Sequence, residues 1–103
     1  MQEDFDLETV LSLITGVNRS NNWSNIFELL LFIFEEEDFG QISMVELIDI
    51  AKKHILNIHP ELNNLIIDTN ITPQNWINNQ KAIFGNSITI SILGEPVIKL
   101  KKQ

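Results

Sequence analysis

The stretch that decides the fold is residues 26–34, IFELLLFIF, in which eight of the nine side chains are large and apolar. Only Glu28 interrupts it. A helix of these residues is apolar all round, whereas a surface helix shows an apolar stripe about 100° wide. We therefore expect this helix to be surrounded by protein, either the rest of this chain or a second copy. The run is too short to cross a bilayer, which takes about 20 residues.

The length and composition are those of one soluble globular domain. The chain has 103 residues, of which 44% are hydrophobic and 20% are charged, and domains typically run to about 50–250 residues. We expect residues 1–103 to form a single compact domain inside the cell, since the acidic start lacks the positive charge of a signal peptide. The absence of cysteine excludes disulfides, thiolate metal sites and cysteine nucleophiles.

The net charge of −7 is unevenly distributed along the chain. Residues 1–50 contain eleven acids and one arginine, whereas residues 51–103 contain three acids and six lysines, so the halves carry −10 and +3. A strongly acidic half repels phosphate backbones and attracts basic surfaces. We expect a protein partner that is basic or handles nucleic acid, and no direct binding to nucleic acid or membranes.

Start and stop signals predict about five helices. Asp6 is placed to cap the first helix and Gly16 to end it, while Ser43 and Glu46 form a capping box for the third. Pro60 and Pro73 are suited to the first turn of later helices. The predicted helices are residues 7–15, a central helix from about 23 to 36, then 44–58, 60–67 and 73–84.

The period of the sequence changes near the C-terminus, where Ile88, Ile90 and Ile92 alternate with polar residues. This alternation predicts a half-buried strand. A turn at residues 94–96 and a partner strand over 97–100 complete a short C-terminal β-hairpin. The predicted fold class is mainly α (α+β), with about five helices packed around a central hydrophobic helix.

The sequence contains no pattern typical of an enzyme. Its two imidazoles, His54 and His59, are five residues apart, off the spacing of four that places two metal ligands on one helical face. No nucleophile elbow and no phosphate-binding glycine loop occurs. We predict a protein that is not an enzyme and has no metal or cofactor, with His59-Pro60 forming a corner between helices.

Candidate partner-binding residues are acidic or aromatic. An acidic run after the central helix either keeps that end solvated or binds a partner, and both interpretations are open. Trp23 lies among polar residues and is the better candidate for exposure, while Trp76 is expected in the core. The candidates are Glu35, Glu36, Glu37, Asp38, Asp4, Asp6, Glu8 and Trp23.

A series of motifs runs through residues 5–92. It comprises a leucine-rich segment ending in Thr15-Gly16, the hydrophobic helix, Phe39-Gly40-Gln41-Ile42, His59-Pro60-Glu61-Leu62, and a Trp76 helix that leads through Gly85 to a strand. This order resembles a family of small uncharacterised domains found in bacteriophage and prophage genomes. Ser43 stands where that family usually has proline, and residues 35–38 replace a glycine-containing segment. The resemblance implies a phage protein in a bacterial cytoplasm, and no particular chemistry.

Three functions fit these observations. The first is a counter-defence protein that inhibits a host factor, such as a CRISPR effector, by presenting its acids to a basic channel (anti-CRISPR-like). The second is a structural module that forms a homodimer through residues 26–34 or the hairpin edge. The third is an immunity protein whose acids mimic phosphate and neutralise a toxin. The acidic half and the phage resemblance favour the first.

Overall fold

The computed structural model describes residues 1–94, which form a mainly helical α+β fold. The strands are β1 (Gln2–Asp6) and β2 (Ser87–Ser91). The α-helices are α1 (Leu7–Thr15), α2 (Trp23–Phe34), α3 (Met44–Ile58) and α4 (Pro73–Phe84). Two 3-10 helices, Arg19–Asn22 and Pro60–Asn64, lie between them. The predicted fold class is confirmed, with four α-helices among the described residues instead of about five.

The predicted helix over 60–67 is only a 3-10 helix, Pro60–Asn64. Leu65 after it is extended, with φ −64° and ψ 133°. The indole Nε1–H of Trp76 donates to the Ile66 carbonyl at 2.8 Å, which holds this part of the chain against α4. Because a helix this short is marginal by itself, the tertiary hydrogen bond decides the conformation.

The helix at the centre of the fold is α1. The sequence had predicted that the helix containing residues 26–34, which is α2, would take this place. Seven of the nine α1 residues are buried, and α1 contacts the other three α-helices and both strands. In α2, five residues are buried, but Phe27, Leu31 and Phe32 are only partly buried and Glu28 is exposed. The apolar surface of α2 is wide because Phe27 and Phe32, on either side of its buried residues, pack at the rim of the core. Phe32 contacts Phe5, and Phe27 contacts Phe39.

Most predicted helix ends lie where local signals placed them. Asp6 caps α1, since its Oδ1 accepts from the Glu8 backbone N–H at 2.8 Å, and Gly16 ends it with φ 82°. Thr72 Oγ1 accepts from the Asn75 N–H at 3.1 Å and caps α4. Helix α3 begins at Met44, as predicted, although the Ser43 side chain makes no capping hydrogen bond. Helix α2 ends at Phe34, two residues earlier than predicted, because Glu35 adopts φ 54°.

The strand that pairs with β2 is β1, at the other end of the chain. The pair is antiparallel, with Asp4 opposite Thr89 and Phe5 opposite Ile88. The predicted strand β2 is confirmed, while the predicted partner strand, residues 97–100, lies outside the described residues. Residues 2–6 gave no strand signal because three of the five are acidic, and acids are depleted in strands. Ile90, in the middle of β2, is buried against the helices and anchors the pair.

Candidate partner-binding surface

The hydrogen-bond register assigns each sheet residue to one of two edges. Leu7 N–H donates to the Asn86 carbonyl at 2.9 Å, and Ile92 N–H donates to the Met1 carbonyl at 3.2 Å. Since hydrogen-bonded pairs alternate along an antiparallel ladder, Glu3 and Phe5 also direct their backbone groups toward β2. The backbone groups of Gln2 and Asp4 therefore point away from β2, and on the opposite edge of the sheet those of Thr89 and Ser91 point away from β1.

The outer edge of β2 is covered by two histidines of the α3 segment. His54 Nε2 lies 2.8 Å from the Ser91 carbonyl oxygen, and His59 Nε2 lies 2.5 Å from the Thr89 carbonyl oxygen. A carbonyl oxygen only accepts, so each ring donates from Nε2. The outward carbonyls of Thr89 and Ser91 are thus satisfied. His59, which was predicted at a helix corner, and His54 both attach the α3 segment to the sheet.

The outer edge of β1 is open. Gln2, Asp4 and Asp6 are exposed, and no hydrogen bond from another of residues 1–94 occupies the outward backbone groups of Gln2 and Asp4. Side chains alternate across the strand, so Asp4 and Asp6 lie on one face and Glu3 and Phe5 on the other. An unpaired strand edge is a template for another strand. Here that edge is lined with carboxylates.

Two of the β1 carboxylates also make contacts within the chain. Asp4 Oδ1 accepts from the Thr89 hydroxyl at 2.5 Å. Asp6 caps α1 and lies 3.5 Å from Lys81 Nζ. Glu3 makes no side-chain hydrogen bond or ion pair with any described residue. The negative charge of β1 is therefore partly compensated at Asp6 and fully available at Glu3.

The acidic run after α2 is held at the surface between two buried phenylalanines. Phe34 and Phe39 are 2% and 3% exposed, and their rings meet edge to face with centroids 5.8 Å apart. Glu35 turns the chain with φ 54°, and Asp38 Oδ1 accepts from the Gly40 N–H at 2.9 Å. The intervening loop is thereby attached to the core at both ends, and Glu35, Glu37 and Asp38 are exposed while Glu36 is partly buried.

The structure brings this loop and the start of β1 to the same end of the molecule. Leu93 N–H donates to the Ile33 carbonyl at 2.8 Å, and the neighbouring Ile92 N–H donates to Met1. The Phe5 and Phe32 rings are 5.2 Å apart. We call this region the acidic end, and it comprises Glu3, Asp4, Glu35, Glu36, Glu37 and Asp38.

Glu8 is not part of the acidic end. Its Oε2 accepts from Asn22 Nδ2 at 2.6 Å and from Asn18 Nδ2 at 3.3 Å, and its Oε1 lies 3.4 Å from Gln74 Nε2. Asn22 is buried and also bonds Ser12 Oγ at 3.2 Å. Glu8 is half-buried and joins α1, the first 3-10 helix and α4. The sequence gave no local signal for this network, because its members are up to 66 residues apart.

Trp23 lies away from the acidic end. It is 42% exposed at the first turn of α2 and lines an open groove with Arg19 and Pro73. The acidic loop follows the last turn of α2, about 18 Å away along a helix of 12 residues. Trp76 is 2% exposed and in the core, as predicted. Trp23 and the carboxylates therefore belong to two separate surfaces.

Within residues 1–94, no three His, Asp or Glu side chains come together in a way that would hold a metal ion. No helix of the same residues combines the length and the apolar character that crossing a membrane requires. Comparison with models of known protein families, with characterised proteins and with solved structures finds no match. What this chain binds is therefore inferred from its own surface chemistry.

Proposed function

We propose that this is a small acidic protein of phage or prophage type that binds and inhibits a host protein through its acidic end. The activity is counter-defence of an anti-CRISPR-like kind. The target is a basic, nucleic-acid-handling protein in the bacterial cytoplasm. The observation that carries the proposal is the acidic loop, flanked by the buried Phe34 and Phe39 and close to the start of β1.

The charges of the acidic end are not neutralised by cations of the described chain. The lysine–carboxylate ion pairs among residues 1–94 are Lys53–Asp49 and Lys81–Asp6, and His59 Nδ1 lies 3.4 Å from Glu61 Oε2; none of these contacts involves residues 35–38. Uncompensated charge on one surface produces a field that steers an oppositely charged partner. Carboxylates carry the same sign of charge as a phosphate backbone, so the basic channel of a nuclease is a suitable target.

Preorganisation supports the same proposal. Ordering a flexible loop on binding costs free energy, and a loop already held in place avoids that cost. The turn at Glu35 and the Asp38–Gly40 hydrogen bond order the loop before any partner arrives. A purely solubilising acidic run would need no such anchoring.

Charge reversal at the loop tests the proposal. The double variant Glu36→Lys, Glu37→Lys changes the charge without disturbing the turn at Glu35 or the hydrogen bond of Asp38. The control, Glu28→Lys, Glu46→Lys, makes the same charge change at two exposed positions outside the acidic end. Inhibition of DNA cleavage by a panel of purified CRISPR effectors and other host nucleases is measured. We expect at least one target to be inhibited and the loop variant alone to lose inhibition tenfold or more. Equal loss in both variants, or no inhibition in any system, contradicts the proposal.

The homodimer remains a second proposal, but the packing of α2 lowers the need for it. Ile26, Leu29, Leu30, Ile33 and Phe34 are buried inside the monomer, so residues 26–34 need no second copy to cover them. Light scattering at high micromolar concentration decides between the two. An immunity protein would use the same acidic end, and recovery of a basic toxin from host lysate would identify it.

A further inference from the structure

The open edge of β1 supplies a binding mode for the acidic end. We propose that an extended, basic segment of the partner adds to the outer edge of β1 as a third strand. Its backbone hydrogen bonds with the outward groups of Gln2 and Asp4, as in other cases of strand addition. The proposal rests on the proposed function for the basic character of the partner, and it adds the geometry of recognition.

The two edges of the sheet are not equivalent. The outward carbonyls of Thr89 and Ser91 on β2 are taken by His59 and His54, while the outward groups of Gln2 and Asp4 meet no other described residue. Among residues 1–94, the outer edge of β1 is therefore the better site for an added strand. The side chains of β1 do not block the approach, because Gln2, Asp4 and Asp6 are exposed.

Charge and polarity on the two faces of β1 specify the incoming strand. On the Asp4 and Asp6 face, the opposing side chains should be lysine or arginine, since opposite charges on neighbouring strands stabilise a sheet. On the other face, Phe5 is half-buried against Phe32 and favours an apolar neighbour, while Glu3 is exposed and leaves its opposing position to water. The preferred segment alternates basic and apolar residues.

A second copy of β1 fits this edge poorly. Full-length antiparallel pairing of two β1 edges would place Asp4 opposite Asp4 and Gln2 opposite Asp6. Like charges directly opposite destabilise a sheet, and edge charges of this kind oppose self-association. The acids thus select against a copy of this chain and in favour of a basic strand.

The probe is a synthetic peptide of alternating lysine and valine, seven residues long, titrated into the full chain. Backbone amide exchange is followed by nuclear magnetic resonance. We expect the Gln2 and Asp4 amides to be unprotected in the free protein and to become protected when the peptide binds. The Glu3 and Phe5 amides, which face β2, should be protected throughout. A peptide N-methylated at alternate residues keeps its charge but cannot complete the ladder, and should bind at least tenfold more weakly.

Two variants separate backbone hydrogen bonding from charge. Asp4→Pro and Asp4→Ala both remove the carboxylate, but only proline also removes the outward N–H. Proline is tolerated at an edge strand whose N–H faces solvent. We expect Asp4→Pro to bind the peptide roughly three- to tenfold more weakly than Asp4→Ala, the loss of about one hydrogen bond. If the Glu3 and Phe5 amides are no longer protected in Asp4→Pro, the variant has disrupted the pairing of β1 with β2. The comparison is then made between Gln2→Pro and Gln2→Ala.

Several outcomes would overturn the inference. Equal binding of the two peptides or of the two variants would show attraction without strand addition, and absence of peptide binding would remove the site. Protection of the Asp4 amide in the free protein would mean that the edge is already filled, by a second copy or by residues 95–103 with their three lysines. If strand addition is disproved, the inhibition assay with Glu36→Lys, Glu37→Lys still tests the proposed function, because the variants at Asp4 and Gln2 keep both of those acids.

Discussion

His54 Nε2 lies 2.8 Å from the carbonyl oxygen of Ser91, a residue 37 positions later in the chain. The contact joins the middle of α3 to the end of β2 and satisfies a strand-edge acceptor that would otherwise need water. Together with the His59 contact to Thr89, it makes β2 the covered strand of the sheet and leaves β1 at the open edge.

Replacing His54 with alanine should destabilise the fold. The change removes the donor and leaves the Ser91 carbonyl of a half-buried strand without a partner, a loss of about 1–3 kcal/mol. Urea unfolding measures the free energy of unfolding. The control is Lys53→Ala at the preceding position, where an exposed ion pair with Asp49 is worth under about 1 kcal/mol. Similar losses in the two variants would argue against a role for the histidine at the strand edge.

Removing the Glu8 carboxylate should cost far more than removing the Glu3 carboxylate, although both changes add the same charge. In Glu8→Ala, the Asn22 amide loses a charged acceptor at 2.6 Å while keeping its contact with Ser12, and a hydrogen bond to a charged group is worth about 1.5–3 kcal/mol. Glu3→Ala changes an exposed side chain and should stay within about 0.5 kcal/mol. Thermal and urea unfolding of the Glu8→Ala and Glu3→Ala variants measure the two changes in the free energy of unfolding. If Glu3→Ala proves equally destabilising, the effect is one of overall charge and not of the network.

Gly16 should tolerate asparagine better than alanine. Its φ of 82° lies in the left-handed region, while the nearest atoms to an added Cβ, on the Arg19 side chain, are 3.8 Å away. The cost of Gly16→Ala is therefore backbone strain of about 1–2 kcal/mol and not a steric clash. Asparagine visits this region more readily. If the urea midpoint of unfolding is lower for Gly16→Asn than for Gly16→Ala, backbone strain at this left-handed position does not set the cost.

The two tryptophans should respond differently to phenylalanine. Trp76→Phe removes the indole donor to the Ile66 carbonyl and leaves a gap in the core, so we expect a loss of about 1–3 kcal/mol. Trp23→Phe at the half-exposed position should change stability by under about 1 kcal/mol. The emission maximum of the Trp23→Phe variant should lie at shorter wavelength, because its remaining tryptophan is buried. An opposite order of emission maxima would place Trp76 in solvent.

The candidate surface was only partly predictable from the chain. Residues 35–38, Asp4 and Trp23 stand out by charge or aromatic character, and each is at the surface. Glu8 stands out equally, yet it is engaged by amides from distant segments. Local patterns carry no information about such contacts, since the partners are set by how the helices pack. The proximity of the acidic loop to β1 likewise depends on Ile92 and Leu93, far along the chain.

Helix positions followed from short-range chemistry. Caps, prolines and glycines act within one turn of the chain, so Asp6, Gly16 and Thr72 are sufficient to place the ends of α1 and α4. Three other features depend on contacts between distant parts of the chain. They are the central position of α1, the pairing of residues 2–6 with β2, and the two histidine contacts at the outer edge of β2. Each results from competition among apolar faces and backbone groups for partners, and burial of the whole chain decides that competition.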